Sequence, residues 1–127
     1  MKIYCGTDII EIQRIKNSIE NLGEKFLKKI YTEKEIKYCN SHKEMKFQHF
    51  AARFSAKEAV FKAISPLLKD KYEITWTSIE ILNDNNGRPY VNFVDFSIKE
   101  LEQIDVSISH CKEYATAMVM IICNWYL

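Results

Sequence analysis

The chain has 127 residues, 47% of them hydrophobic and 28% charged, with a formal net charge of +1 at pH 7. That is the balance of one globular domain, and the whole chain is expected to form a single domain around one core. It leaves no global attraction to nucleic acid and no apolar run long enough to span a bilayer, and the charged opening MKIYCGTD is not a signal peptide.

Residues 2–5 are β-prone, and Gly6 is expected to break them. Asp8 then opens an amphipathic helix in which Ile12, Ile15, Ile19 and Leu22 fall on one face, with Gly23 as its stop. A short helix near residues 25–30 turns Phe26, Leu27 and Ile30 inward. Thr32-Glu-Lys-Glu35 is a capping-box pattern and starts a third helix running to about Cys39. Residues 46–64 read as a long helix ended by Ser65-Pro66, because the residue before a proline disfavours the α region. The period then changes. EITWTSIEIL, residues 73–82, is rich in β-branched residues and predicts a strand; NDNNGRP is a turn, and residues 90–94 form the returning strand. Residues 96–103 predict a helix, and residues 106–109 and 114–123 two strands joined by a turn through His110-Cys-Lys-Glu113. Helices gathered ahead of strands predict an α+β fold, an antiparallel sheet packed against a long core helix and shorter helices. Residues 114–123 are apolar along most of their length, which fits a central strand or an oligomer contact. Cys5, Cys39, Cys111 and Cys123 form no CxxC pair. They carry no zinc signature and read as reduced thiols of a cytoplasmic protein.

The stretch FSAKEAVFKA, residues 54–63, poses the main question. The helix around it is apolar nearly all round, yet it carries Glu58, and a carboxylate in such a place is costly unless paired or bound to a metal. One answer is an ion pair with Lys62 at i, i+4, worth about 0.2–0.5 kcal/mol. Asp8 with Glu11 three residues on has its own simple reading as a helix cap. His110 reads as a solvated turn histidine, and the basic residues Arg14, Lys16, Lys25, Lys28 and Lys29 as a solvated face.

Three segments taken together carry more. GTDIIEIQRI near the start, ARFSAKEAVFKA in the middle and VSISHCKEYA near the end occur in that order. They resemble the signatures of the holo-acyl-carrier-protein synthases, the small single-domain 4′-phosphopantetheinyl transferases. YTEKEIKYC and the hairpin around NDNNGRPYV are also similar to family segments, so the resemblance covers nearly the whole chain.

The resemblance implies transfer of the 4′-phosphopantetheine arm of coenzyme A to a serine of apo acyl carrier protein, releasing adenosine 3′,5′-bisphosphate and supporting fatty acid biosynthesis. It implies a magnesium ion held by Asp8 and Glu58, with Lys62 on the pyrophosphate and Arg53 and His110 on coenzyme A phosphates. Those residue types suit the chemistry, since magnesium takes one or two carboxylates beside substrate phosphates and a lysine is a point charge for phosphate. For the base that deprotonates the serine, Glu58 and a magnesium-bound water both stand. Arg14, Ile15 and Phe26 fall at carrier-contacting positions, and the basic first helices suit an acidic carrier. Small members are trimers with active sites where subunits meet, and the apolar last strand with the terminal NWYL is compatible with such burial. The chain departs from the family at KAISPLLKDK, where a glycine-rich turn is usual, and at YCGTD, which lacks the usual Gly-Ile-Gly lead.

Two other classes stand against this reading. A non-catalytic or structural trimer of the same fold would use Asp8 as a cap and Glu58–Lys62 as a salt bridge. A nucleic-acid binder would use the basic helices, but Glu20, Glu24, Glu33 and Glu35 interrupt their charge.

Overall fold

The computed structural model describes residues 1–124. Trp125, Tyr126 and Leu127, and with them most of the terminal NWYL, lie outside the described residues. The elements run β1 (Lys2–Glu11), α1 (Ile12–Leu22), α2 (Glu24–Ile30), α3 (Glu33–Ser41), α4 (Lys46–Ile64), β2 (Ile79–Asn83), β3 (Pro89–Phe93), β4 (Leu101–His110) and β5 (Tyr114–Cys123). Strands β1, β5 and β4 form one antiparallel sheet in that order, and β2 and β3 a separate hairpin. The helices-then-strands sequence thus gives the predicted α+β arrangement, with β5 at the centre of its sheet.

Helix α4 lies on one face of the sheet, and what allows it is small side chains on both sides. Ala56, Ala59 and Ala63 of α4 and Ala117 of β5 are buried together. Gly6 completes the contact from β1: a Cβ there would collide with the Ala59 carbonyl oxygen and lie 2.8 Å from the Ala63 nitrogen. Gly6 therefore does not break the strand, as its residue type predicts. It sits within the strand because only a hydrogen fits beneath α4.

The first helix also starts later than predicted. β1 continues through Asp8, which pairs with Ala117, to Glu11, which pairs with Tyr114. Helix α1 begins only at Ile12, after Glu11, which makes no side-chain cap bond. Asp8 is therefore a strand residue and not a cap: the β-branched Ile9 and Ile10 follow it, and the ladder with β5 satisfies this backbone better than a cap would.

Two further differences lie in the second half. Within residues 73–82 only the end is strand; Thr75 and Ser78 exchange cap bonds around a short 3-10 turn at Trp76–Ser78, and β2 starts at Ile79. Residues 96–103 form no helix: β4 begins at Leu101, with a register shift at Leu101/Gln103, and pairs with β5 up to His110. Val106 is buried there and Ile104 and Ile108 pack beside it, a gain that an isolated short helix could not match. Helix α3 does open on the predicted capping box, with Thr32 accepting from the Glu35 N–H and Glu35 accepting from the Thr32 N–H.

Candidate active site

Asp8 projects from the α4-facing side of β1, in cross-strand register with buried Ala117. Its carbonyl is held from two sides, by the Ser55 hydroxyl of α4 at 3.0 Å and the Thr116 hydroxyl of β5 at 2.8 Å. The helix thus fixes the strand at the residue that carries the carboxylate. Lys62, two turns further along α4, donates to Asp8 Oδ1 at 3.2 Å and to the Thr7 carbonyl at 2.9 Å.

That geometry replaces the i, i+4 pair expected between Glu58 and Lys62. Lys62 pairs with Asp8 instead, and Glu58 has no salt-bridge partner among the described residues. Glu58 is half-buried rather than buried. Burial pushes its carboxyl above the usual range, and the Asp8 charge pushes it the same way; Lys62 opposes them. Two carboxylates from different elements, one of them without a cation of its own, are an unfavourable pair left alone and a hard-oxygen donor set for a cation. Among the described residues no group of three or more His, Cys, Asp or Glu forms a denser site. Beside Glu58 opens a cavity of about 350 Å³ walled by Phe61, Ile74, Trp76 and Ile79, with Lys71 and Tyr72 also in its lining.

Arg53 and His110 lie elsewhere. Arg53 precedes Glu58 by five residues, about 140° around the helix. It is 3% exposed, its guanidinium lies 4.1 Å from the Tyr38 ring centroid, and it donates to Asn83 Oδ1 at the base of the β2–β3 hairpin. Asn83 in turn donates to the Gly87 carbonyl, so Arg53 holds the hairpin turn through Asn83. Its Nε is buried without a partner. His110 ends β4, exposed, with its ring 5.9 Å from that of His49. Within one chain, therefore, Asp8, Glu58 and Lys62 come together, while Arg53 and His110 join a second group with Tyr38, His42 and His49.

Of the carrier-facing positions, Arg14 is exposed and Phe26 half-buried against the Tyr31 ring. Ile15 is 3% exposed and packs in the core with Ile12 and Phe50, so it is not a surface contact. Its place on the helix's apolar stripe is what decides this.

Besides Arg53, the charged residue that the core helix buries is Lys57, not Glu58. Lys57 and Glu35 are both fully buried and meet at 2.6 Å. The Lys57 amine also donates to the carbonyls of Ile30, Ile79 and Trp76. Glu35 accepts from the Ile81 N–H besides that of Thr32. Burial pulls the Lys57 pKa down, and Glu35 pulls it back up. The pair ties α4 to the end of α2 and to the segment that walls the cavity beside Glu58. Its signal in the sequence was the lysine next to Glu58 on a helix with no polar face.

A sequence profile described as 4′-phosphopantetheinyl transferase superfamily matches residues 4–119. This chain belongs to that superfamily. The transferase is 46% identical over 127 aligned residues to a holo-acyl-carrier-protein synthase of Ruminiclostridium cellulolyticum, covering 95% of this chain and 92% of the other. It is 47% identical over 116 residues to one of Thermodesulfovibrio yellowstonii, covering 91% and 95%. A solved structure of a holo-acyl-carrier-protein synthase from Bacillus anthracis, in complex with CoA (3′,5′-ADP), superposes with a TM-score of 0.79 at 32% identity, over 95% of this transferase and 96% of that chain. The fold of the transferase is that of its superfamily.

Proposed function

We propose that this chain moves the 4′-phosphopantetheine arm of coenzyme A to a serine of apo acyl carrier protein, releasing adenosine 3′,5′-bisphosphate. The relatives just described support this over nearly their whole length. The observation that carries the site is Glu58, a half-buried carboxylate without a salt-bridge partner among the described residues, facing Asp8. Asp8 and Glu58 would hold a magnesium ion, whose preference for hard oxygen fits two carboxylates completed by substrate phosphates and water. When bound, it would neutralise charge on the pyrophosphate and orient an in-line attack.

The chain's own groups then have definite tasks. Lys62, half-exposed on Asp8, is free to turn its ammonium to an arriving phosphate, since an exposed ion pair holds it by at most about 1 kcal/mol. Glu58 stands as the carboxylate of this group that accepts the serine proton. The apolar cavity beside Glu58 keeps water from the pyrophosphate. His110 binds a coenzyme A phosphate; Arg53 supports that site mainly by holding the hairpin turn through Asn83. Arg14 and the exposed lysines of α1 and α2 steer an acidic carrier, with Phe26 at the edge of that surface.

Two features support a trimer. Asp8 and His110 both lie on the α4 side of the sheet but on opposite edge strands, so one chain does not join them. The other sheet face leaves Ile3, Ile9, Met118 and Met120 exposed, a surface suited to other copies. We place the protein in the cytoplasm, in fatty acid biosynthesis. Mass spectrometry of apo acyl carrier protein incubated with the protein, coenzyme A and magnesium tests the reading. One phosphopantetheine group should be added, and none with EDTA or with Glu58→Ala; no addition by the folded wild type overturns it.

A further inference from the structure

A row of three imidazoles stands outside the Asp8–Glu58 group, and only His110 among them has a task so far. The His42 and His49 rings stack with centroids 3.9 Å apart and planes inclined by 39°; His110 lies 5.9 Å beyond His49, and Tyr38 packs against both His42 and His49. The row is built from the end of α3, from α4 and from β4. The groups that face His49 are Tyr38 and His42 on the α3 side, Arg53 from its own helix and His110 from β4. None is an acid.

The His42 Nδ1 lies 2.8 Å from the Tyr38 carbonyl and 3.2 Å from the Ser41 hydroxyl. A proton on His49 would put a cation against a stacked neighbour and within range of Arg53. Burial therefore lowers the His49 pKa to about 4, with His42, Arg53 and His110 acting in the same direction. Beneath the row the Arg53 Nε is buried with no acceptor. A cationic group with an unused donor, three imidazoles and no carboxylate make a site that lacks a negative charge. An anion brought there would supply it and favour the protonated form of His49.

We propose that His49 is the proton-loading residue of this site: a phosphate group bound at His110 draws a proton from solvent onto His49, which stacks on His42, so that ligand binding and protonation are linked. The proposal rests on the reading that His110 receives a coenzyme A phosphate, and adds to it the two histidines and the proton. A single linked proton makes binding tighter by up to about tenfold for each pH unit lowered, within the range between the free and bound pKa of His49.

The test is calorimetric titration of coenzyme A into the whole protein at about pH 6, near the ordinary histidine value, in buffers of different ionisation enthalpy. The wild type should take up close to one proton per site. His49→Gln and His49→Phe, the latter keeping ring packing against Tyr38, should bind coenzyme A with that uptake lost. Imidazole NMR of the wild type gives a second readout, with the His49 midpoint moving up from about 4 when coenzyme A is added. Binding without buffer dependence, or uptake unchanged in both His49 variants, overturns the proposal alone. No coenzyme A binding by the wild type overturns the parent reading and this one together.

Discussion

Replacing Glu35 by Gln removes one charge from a fully buried ion pair and leaves the Lys57 ammonium in the core. Breaking such a pair from one side costs about 3–5 kcal/mol, because the remaining charge is desolvated without compensation. Three backbone carbonyls still accept from Lys57, so the lower end of that range applies. For a chain of this length that is a fall in Tm of roughly 10–15 °C. The pH dependence is the sharper part. Burial already lowers the Lys57 pKa, and the Glu35 charge is the main force opposing it. Without that charge the folded-state value drops further below the unfolded value of about 10.4. A base with a depressed folded pKa has a folded state that binds fewer protons, so stability rises with pH between the folded and unfolded values and is lost as pH falls through the folded one. Glu35→Gln should therefore recover stability relative to wild type as the pH is raised toward 10. Urea unfolding of both proteins across neutral and alkaline pH, at matched protein concentration, measures this. A loss below about 1 kcal/mol, or a difference independent of pH, would refute the assignment of Lys57–Glu35 as a buried charged pair.

Gly6→Ala drives a methyl group into the Ala59 backbone, so α4 must move off β1 and carry Lys62 away from Asp8; stability should fall by at least about 1–3 kcal/mol and transfer activity with it, read by unfolding and by carrier mass shift. Ile15→Ala should cost about 2–5 kcal/mol on unfolding, as for any buried isoleucine, whereas Arg14→Glu should leave stability within about 0.5 kcal/mol and slow carrier association in a salt-dependent way, read by stopped flow. Lys62→Ala should change stability by no more than about 1 kcal/mol while lowering kcat/KM for coenzyme A by tenfold or more, separating its exposed pair with Asp8 from its task on phosphate. A thiol reagent should modify Cys5 and Cys111 quickly and Cys39 and Cys123 only on unfolding; Cys111 should react first, since backbone N–H groups of Glu113 and Tyr114 stabilise its thiolate.

Local signals in the sequence were reliable where one short-range cause decided the outcome. Helix α4 and strand β5 have the bounds their patterns predict, and the Thr32–Glu35 capping box forms as written. The misplaced elements share a different cause. Asp8 looks like a cap and residues 96–103 look helical only until β5 is present, because β1 and β4 are defined by pairing on its two sides. Gly6 looks like a breaker until α4 lies on it. In each case a partner distant along the chain supplies the stabilising contact, Cys123 for Leu101, Ala59 for Gly6 and Ala117 for Asp8, and local propensity is the weaker term.

The same reasoning explains which parts of the site were legible. Residue types were: paired carboxylates and a lysine are what pyrophosphate chemistry needs, and the motifs that carry them were visible as motifs. Their pairing was not. At i, i+4, Glu58 and Lys62 are the obvious couple, but Lys62 reaches back across the helix–strand contact to Asp8 and Thr7. The crossing leaves Glu58 with no salt-bridge partner among the described residues. Lys57 hid in the same motif for a complementary reason. A lysine beside a catalytic candidate on an apolar helix reads as one more active-site charge, and only its distant partner Glu35, on α3, turns it into a core strut. In FSAKEAVFKA the three charged residues have three separate surroundings, and only the tertiary contacts tell them apart: Lys57 lies in the core against Glu35, Lys62 reaches the carboxylate of another element, and Glu58 has no salt-bridge partner among the described residues.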